Sequence, residues 1–575
     1  MKTFLAAVNS KFIHTALAVR SLSAFVKDRF EVSYAEYTIN NEPEKVVGHL
    51  YEQQADIYGF SVYIFNVDFV RRLIRTLRLL WPDCIIFVGG PEVSYHCREF
   101  LVSEPAVDFI LSGEGEQTFS EFLSAVQSGD SRSALKKRLR ETPIAGIHFL
   151  ENGEYFCGQQ RAGICDLSVL PFPYSDEELI QLKDRILYYE GSRGCPFHCS
   201  YCMSSVEGGV RAMPLERVFE DLNRFLSARV RQVKWVDRTF NFDRKRALAI
   251  WKYLCQNDNG VTNFHFEISA WLLDSESLDF LKTVRPGLFQ FEVGVQSTYE
   301  PTLSAISRSV SFERLREVLS ALSGTNIPVH ADLIAGLPFE TYQRFGISFN
   351  DVLQLSPDCL QLGFLKMLHG APIELQTQHG YVVNPEPPYE VLYNRYISYP
   401  QLQKLKQIEA LLEWYYNSHL CPREILWIGQ KWFHQDYFSF FEQLSSFLSE
   451  SGFFDVSHRP AELFDVLYAF LSKHFGASAA EQVVGRAYFS YEKASVIPCW
   501  IQTIRIERDA LVELLKQPEQ FLDLLDPADR TRFLQMESKK WFRHAELVIY
   551  PATEDFSEEK ILYLYKDIKK GYHII

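Results

Sequence analysis

The sequence predicts an α/β protein in three parts: an N-terminal Rossmann-like doubly wound parallel sheet, a central partial (β/α)6 barrel, and a mostly helical C-terminal domain with a small sheet. Short apolar runs alternate with amphipathic segments over residues 3–127, and the same rhythm returns over 186–370. Beyond Gly380 the composition turns aromatic with helical periodicity. At 575 residues, and about 150 per domain, the chain has room for three or four folding units. The expected divisions are 1–130, a linker at 131–183, 184–380 and 381–575.

In the first region strands are expected at 3–8, 31–37, 57–63, 85–88 and 109–111. Helices are expected at 12–27, 43–54, 66–80 and 116–127, where apolar residues recur every three or four positions. Such sheets bind ligands beyond the carboxyl ends of their strands, so those loops carry the information. Ser61 ends the third strand, Gly89 and Gly90 follow the fourth, and Gly113, Glu114 and Gly115 follow the fifth. Glycine lets a bulky ligand approach the backbone closely, although tight turns use it as well.

Residues 128–183 lose the rhythm and gather Pro143, Gly146, Gly153, Pro171 and Pro173, which reads as a connector. Within it, 146–156 reads as a hairpin turning at Asn152-Gly153.

The next strand runs into Gly194-Cys195-Pro196-Phe197-His198-Cys199-Ser200-Tyr201-Cys202. Three thiolates at Cys-x-x-x-Cys-x-x-Cys spacing can wrap a four-iron, four-sulfur cluster and leave one iron without a protein ligand. Structural zinc is the alternative, but it takes four protein ligands, and His198 sits awkwardly between the cysteines. The other eight cysteines, 84, 97, 157, 165, 255, 359, 421 and 499, lack tight spacing and are expected to be small buried hydrophobes.

The cysteine loop, with Tyr201 before its last cysteine, resembles the radical S-adenosylmethionine (SAM) superfamily. The glycine loops and Ser61 resemble the cobalamin-binding domains upstream of many such enzymes, so the chain resembles the class B type with a C-terminal domain of unknown function. The resemblance implies Cys195, Cys199 and Cys202 as cluster ligands and Tyr201 against the adenine of SAM. It implies Asp237 at the methionine amino group, Glu267 on the next strand, and Glu292 or Gln296 at the ribose or amino-acid end. Ile334, in the segment ending Gly336-Leu337-Pro338, is expected near the adenine. Ser61, Gly89, Gly90, Gly113 and Glu114 are the expected cobalamin contacts. The methionine-synthase type carries Asp-x-His-x-x-Gly after the first strand. Here only His14 is nearby, without the flanking residues, and it reads as a helix-surface or packing residue.

Six strands, with helices at 215–228, 244–256, 275–283, 312–322 and 340–354, fit the partial barrel, whose reacting groups belong at strand carboxyl ends. The expected function is reductive SAM cleavage to a 5′-deoxyadenosyl radical, with cobalamin carrying a methyl group to an unactivated carbon. A non-methylating rearrangement or cyclisation, a first domain that is vestigial or binds substrate, and a non-enzymatic cobalamin-binding scaffold remain open. With no second cysteine cluster, the electron is expected from an external flavodoxin or ferredoxin.

The C-terminal aromatics Tyr389, Tyr393, Tyr396, Tyr399, Trp414, Tyr415 and Tyr416 read as core. Strands are expected at 501–506, 545–550 and 561–565, and the tail is expected to cap the barrel and help define substrate choice. A net charge of −14 works against phosphate-backbone binding and favours a small-molecule, lipid or peptide substrate, with a modified RNA base left open. No run of about 18 apolar residues is present, and a cytoplasmic location is expected.

Overall fold

A computed structural model describes residues 1–127, 129–205, 209–308, 310–449, 452–491, 493, 496–517, 522, 530, 534, 541–553, 556–565 and 571–574. The chain divides into two compact units, Met1–Thr341 with Gly363–Ser398, and Tyr342–Leu362 with Tyr399–Ile575.

The first unit opens with β1 (Thr3–Asn9), α1 (Leu17–Val26), β2 (Val32–Thr38), α2 (Pro43–Gln53), β3 (Ile57–Ser61), α3 (Val67–Leu80) and β4 (Ile85–Gly89). Two short helices follow, α4 (Pro91–Ser94) and α5 (Cys97–Ser103), then β5 (Phe109–Leu111), α6 (Gly115–Ala125), α7 (Arg132–Glu141), β6 (Ile147–Glu151) and β7 (Glu154–Cys157). The sheet order is β2-β1-β3-β4-β5-β6-β7, with the first five strands parallel. All seven β1 residues are buried, because helices cover both faces of a central parallel strand. The chain reverses direction across the sheet between β1 and β3, which opens a crevice at their carboxyl ends. Asn66, 1% exposed, holds that crevice: its Nδ2 donates to Val8 O (2.9 Å) and Ser61 O (3.2 Å), and its Oδ1 accepts from Tyr63 N (2.8 Å).

The hairpin read as part of a connector is instead an antiparallel extension of this sheet, β6 on β5 and β7 on β6. Asn152 (φ 52°) and Gly153 (φ 82°) supply the two left-handed residues that a tight two-residue turn requires. Phe149 stacks on Phe156 across it at 5.2 Å.

After α8 (Asp176–Gln181) the chain forms β8 (Ile186–Tyr189), a small antiparallel pair β9 (Ser192–Arg193) and β10 (Arg211–Ala212), then α9 (Leu215–Ser227), β11 (Gln232–Trp235), α10 (Arg244–Gln256) and β12 (Asn263–Ile268). Next come α11 (Ser275–Leu281), β13 (Phe289–Gln296), α12 (Glu300–Ala305), α13 (Phe312–Leu322) and β14 (Val329–Ala335). Helix α14 (Tyr342–Leu353) leads into β15 (Cys359–Phe364), whose last two residues return to the first unit. The second sheet is open, ordered β15-β14-β13-β12-β11-β8, and no barrel closure occurs among the described residues.

The two sheets of this unit are tied directly. Ile186 N, at the start of β8, donates to Ile13 O (2.8 Å), and Thr15 N returns the bond to Ile186 O (3.2 Å). Arg20, 4% exposed, pairs with Glu36 (2.7 Å) and Glu178 (2.5 Å), and Arg185 also reaches Glu36 (2.8 Å). The loop after β1 is therefore engaged with β8. This delays α1 to Leu17, so His14 lies in the loop and not on a helix surface.

After β15 the first unit adds only the short antiparallel pair β16 (Val382–Val383) and β17 (Val391–Tyr393). The second unit, besides α14, packs α15 (Tyr399–Leu412), α16 (Pro422–Lys431), α17 (Tyr437–Ser449), α18 (Pro460–Phe475) and α19 (Ala477–Tyr491). Small elements complete it: β18 (Arg505–Ile506), α20 (Arg508–Leu515), β19 (Ala545–Tyr550), β20 (Glu559–Tyr565) and β21 (Gly571–Ile574). The four strands make an antiparallel sheet. The strand expected at 501–506 shrinks to two residues, because Gln502, Thr503 and Ile504 give their backbone N–H groups to Glu481 Oε1. Tyr415 and Tyr416 are core, as expected, each donating its hydroxyl to a buried carbonyl, Leu463 O and Pro357 O. Tyr393 and Tyr399 are exposed.

The scattered cysteines correct a second expectation. Cys84, Cys97 and Cys421 are buried, Cys255 and Cys359 are half-buried, and Cys157, Cys165 and Cys499 are exposed. Cys157 ends the edge strand β7, which has no partner sheet to bury it. Among the described residues no helix is long and apolar enough to cross a membrane.

Candidate active site

The cysteine loop leaves β8 at the edge of the open sheet and is fixed before the first thiol. Gly191 N donates to Asp237 Oδ1 (2.7 Å) and Ser192 Oγ to Asp237 Oδ2 (2.5 Å), with Asp237 2% exposed. Burial pushes that carboxyl up to about 7, and its two hydrogen bonds pull the other way. Gly194 (φ 90°) makes the turn into Cys195, where a Cβ would fall 2.0 Å from Gly209 O. Further along, Ser200 N bonds Ile306 O (2.9 Å) and Ile373 N bonds Ser200 O (2.8 Å).

Cys195, Cys199, Cys202 and Tyr201 line a cavity of about 250 Å³ at the carboxyl ends of the second sheet, together with Glu267, Glu292 and Gln296. Thr239, Arg308 and Asp332 line it too and were not singled out from sequence. Thr239 Oγ1 lies 3.5 Å from Cys195 Sγ. Arg308 Nη1 lies 3.7 Å from Cys199 Sγ and 3.4 Å from the Tyr201 hydroxyl, while its Nη2 donates to Gly294 O. The lone Arg308, in the turn after α12, carries no sequence signal. Asp332 does: β13 and β14 place a polar residue at nearly every second position, half-buried Gln290 and Glu292 and buried Gln296, then half-buried His330 and Asp332. A parallel strand covered on both faces reads as continuously apolar, so this alternation marks one face turned to a cavity.

The charges there are arranged against one another. Burial alone would raise the Glu292 carboxyl, but His265 (3.1 Å) and Lys234 (3.0 Å) hold it down at about 2. Burial and the neighbouring Glu292 push Glu267 up, and burial pushes Asp332 well up. Gln296 Oε1 and Asp332 Oδ1 are buried with no hydrogen-bond partner among the described residues. Such atoms call for a donor from a ligand.

Asp237 is not part of this lining; its oxygens are spent on Gly191 and Ser192, so the expected contact to a methionine amino group corrects to an anchor of the loop. Ile334 is also outside the lining, packed with Tyr201 against Leu303, Ile306, Leu337 and Leu365. His198 is exposed and does not face the thiols.

A second cavity, about 700 Å³, occupies the crevice of the first sheet and contains Ser61, Gly89, Gly90, Gly113 and Glu114. Gly113 (φ 76°) has nothing within 4 Å of where a Cβ would stand, so it forms open floor. His14 lies on this lining, its Nδ1 2.8 Å from the Tyr188 hydroxyl. Glu114 behaves differently from the expected ligand contact. Its carboxylate takes Arg211 (2.5 Å), Arg193 (3.1 Å) and Ile164 N (2.8 Å), which tie the fifth-strand loop to β9 and β10. Arg193, the residue two before Cys195, also pairs with Glu116 (2.6 Å) and Glu190 (2.9 Å). Arg238 lines both cavities.

Three family models match the chain: B12 binding domain over residues 5–123, Radical SAM superfamily over 189–352, and protein of unknown function (DUF4080) over 377–562. The chain is 24% identical to the cobalamin-dependent radical SAM methyltransferase TokK of Streptomyces tokunonensis over 58% of this chain and 51% of that one. It is 28% identical to the anaerobic magnesium-protoporphyrin IX monomethyl ester cyclase of Synechocystis over 55% of this chain and 62% of that one. It spans 45–66% of the length of the first three curated relatives. The solved cobalamin-dependent S-adenosylmethionine radical enzyme OxsB, with aqua-cobalamin and S-adenosylmethionine bound, shares the fold with a TM-score of 0.57 at 15% identity, over 94% of this chain and 83% of that one. The chain therefore joins a B12-binding domain, a radical SAM domain and a C-terminal domain of unknown function, DUF4080.

Proposed function

We propose that the protein is a radical SAM enzyme that uses a 4Fe-4S cluster on Cys195, Cys199 and Cys202, and cobalamin in the 700 Å³ crevice, to methylate an unactivated carbon. When bound, these groups supply reductive cleavage of SAM to a 5′-deoxyadenosyl radical and methyl carriage. The donor set fits: three thiols on the cavity lining, no fourth thiol and no imidazole among the lining residues, and two partnerless oxygens in the same cavity. The observation that carries the reading is Arg238, a single side chain on the walls of both cavities, which sets the two proposed cofactor sites side by side.

The chain's own groups divide the work. Thr239 and Arg308 contact the Cys195 and Cys199 sulfurs and hold them in place. Glu267, Gln296 and Asp332 present acceptors to the cationic amino-acid end and the ribose hydroxyls of SAM, with Glu292 kept anionic by Lys234 and His265. Tyr201, on the cavity lining, forms the bed for the adenine, and Ile334 lies behind it against the same apolar cluster. The glycines of the crevice admit the corrin face, and Asp237 and Glu114 brace the loop between the cavities. Residues 1–130, 184–380 and 381–575 are assigned to cobalamin, SAM and substrate selection, joined by 131–183. The electron comes from an external flavodoxin or ferredoxin, and the substrate is a small molecule, lipid or peptide.

The test is anaerobic turnover of reconstituted protein with reductant, SAM and cobalamin. The reading expects cluster absorbance, 5′-deoxyadenosine and S-adenosylhomocysteine, all lost in Cys202→Ala. The likeness to a cyclase sustains a second reading, a non-methylating reaction, which gives 5′-deoxyadenosine alone. Absence of both products in a cluster-loaded protein leaves only the scaffold.

A further inference from the structure

Away from both cavities, three side chains of the first unit converge that neither proposed cofactor uses. His96 lies between α4 and α5, at the fourth-strand end of the first sheet. His369 and Glu374 follow β15, with Glu374 in a short turn, Pro372–Leu375. Their potential ligand atoms all lie within 4.8 Å of one another. His96 Nε2 stands 3.7 Å and His369 Nδ1 3.9 Å from the same Glu374 oxygen, Oε1. The imidazole rings are 4.4 Å apart at 55°.

Those separations are too long for hydrogen bonds and too close to be indifferent. His369 Nδ1 is buried and has no hydrogen-bond partner among the described residues. The other oxygen of Glu374 is already held, Oε2 accepting from Gly370 N (3.1 Å), which turns Oε1 toward both rings. His369 is further fixed by Tyr389, ring to ring at 4.5 Å, whose hydroxyl donates to Glu92. A carboxylate aimed by a backbone N–H, beside an imidazole aimed by an aromatic neighbour, has the outer support seen around metal ligands. All three groups are part-exposed, between 27% and 42%, so an ion can enter from solvent.

We propose that His96, His369 and Glu374 form a binding site for a divalent first-row transition ion of the zinc class, through His96 Nε2, His369 Nδ1 and Glu374 Oε1. Bonds of about 2.0–2.1 Å in a tetrahedron place ligand atoms roughly 3.3–3.4 Å apart, so the approaches of His96 and His369 to Glu374 Oε1 close with shifts of about half an ångström. Two imidazoles and one carboxylate suit zinc or ferrous iron and disfavour calcium and magnesium, which take oxygen ligands. Three protein ligands leave a position for water or a further ligand. The ion joins the α4–α5 corner of the first sheet to the segment after β15.

The experiment uses the untagged full-length chain with its cysteine loop loaded with iron, dialysed against zinc. Metal analysis gives stoichiometry, and X-ray absorption at the zinc edge, which the iron does not obscure, gives the ligands. The expected result is one zinc per chain, coordinated by nitrogen and oxygen with imidazole scattering and no sulfur at about 2.3 Å. Loss of one ligand in His96→Ala or Glu374→Gln should weaken binding by more than the about 10–100-fold that outer partners are worth, with iron content and circular dichroism unchanged. His96 is the most exposed of the three, so its replacement leaves folding intact even where His369→Ala does not. Zinc bound through sulfur, zinc retained at full affinity in the variants, or no zinc bound by the parent protein at micromolar free metal each overturns the proposal.

Discussion

Gly90 and Gly113 both have positive φ and both line the larger cavity, yet they predict opposite phenotypes. At Gly90 (φ 118°, ψ 171°) the backbone occupies a region reserved almost wholly for glycine, which costs about 1–3 kcal/mol for any other residue. A Cβ there would also stand 2.4 Å from Val62 O and 3.1 Å from Val62 N, both main-chain atoms that cannot swing aside. Forcing this contact adds about 1–3 kcal/mol. Gly90→Ala should therefore lose about 2–6 kcal/mol, a fall of roughly 3–8 °C in the melting temperature of a unit as large as the first, where 1 kcal/mol is worth about 1.3 °C. At Gly113 (φ 76°) the Cβ meets nothing within 4 Å. The positive φ costs about 1–2 kcal/mol, partly offset by about 0.4–1 kcal/mol from a stiffer unfolded chain. Gly113→Ala should thus melt within about 2 °C of the parent. Its methyl group nevertheless projects into the space assigned to the corrin, and cobalamin retention should fall about tenfold or more, 1.4 kcal/mol being one decade. Anaerobic thermal melts by circular dichroism, with corrin absorbance after gel filtration, read both effects. If Gly90→Ala melts with the parent, or Gly113→Ala keeps full corrin while Gly90→Ala does not, the reasoning about these two loops is wrong.

Arg308→Met, which keeps bulk but removes the N–H donors facing Cys199 Sγ and Gly294 O, should lower the reduction potential of the reconstituted cluster by tens of millivolts, about 59 mV being tenfold for one electron. An unchanged potential in an EPR-monitored titration would discount the contact. Asp237→Ala leaves the Gly191 N–H and the Ser192 hydroxyl unpaired in a buried place and should cost about 2–4 kcal/mol, read as a lower melting temperature and reduced iron content. Glu292 has a depressed folded pKa, so its contribution is present above about 4.5 and is lost as pH falls toward about 2. At about 1.4 kcal/mol per unit that contribution is at most about 3–4 kcal/mol, and Glu292→Gln should flatten the acid limb of the stability profile between those values. Removing Glu114 takes one of three carboxylates from Arg193 and the carboxylate facing Arg211 Nη2, while Arg193 keeps Glu116 and Glu190 and Arg211 keeps Ile164 O, so Glu114→Ala should cost about 1–3 kcal/mol. In Glu114→Ala/Arg193→Met the loss should be less than the sum of the single losses; strict additivity would mean that the pair is not coupled.

What was legible in the sequence was local. The helix expected at 244–256 runs over those residues, that at 215–228 stops at 227, and the strand at 109–111 is unchanged, because a single face of 3.6 periodicity or a bounded apolar run decides them. The cysteine loop is legible for the same reason: its chemistry is carried by eight consecutive positions, 195–202. Residues 146–156 read as a hairpin from Asn152-Gly153, but not as the edge of the first sheet, since pairing of β6 with β5 is a long-range choice that no local pattern records. Asp237 sat in the expected strand-end motif, yet what its carboxylate binds depended on where Gly191 and Ser192 turn back. Arg308 reaches the thiols from the turn after α12, and His96 meets His369 from the other half of the unit; neither has a sequence neighbour that announces the meeting.

The polar inner face of the open sheet has a thermodynamic consequence. Gln296 and Asp332 keep oxygens that only an arriving molecule can satisfy, so the folded state holds part of its cohesion in reserve for whatever fills the space. By mass action each hundredfold excess of such a molecule over its dissociation constant adds about 2.7 kcal/mol. Resistance to heat in this protein is therefore set by what is dissolved around it as much as by its own chain, and a rising melting point reports occupancy before any product is made.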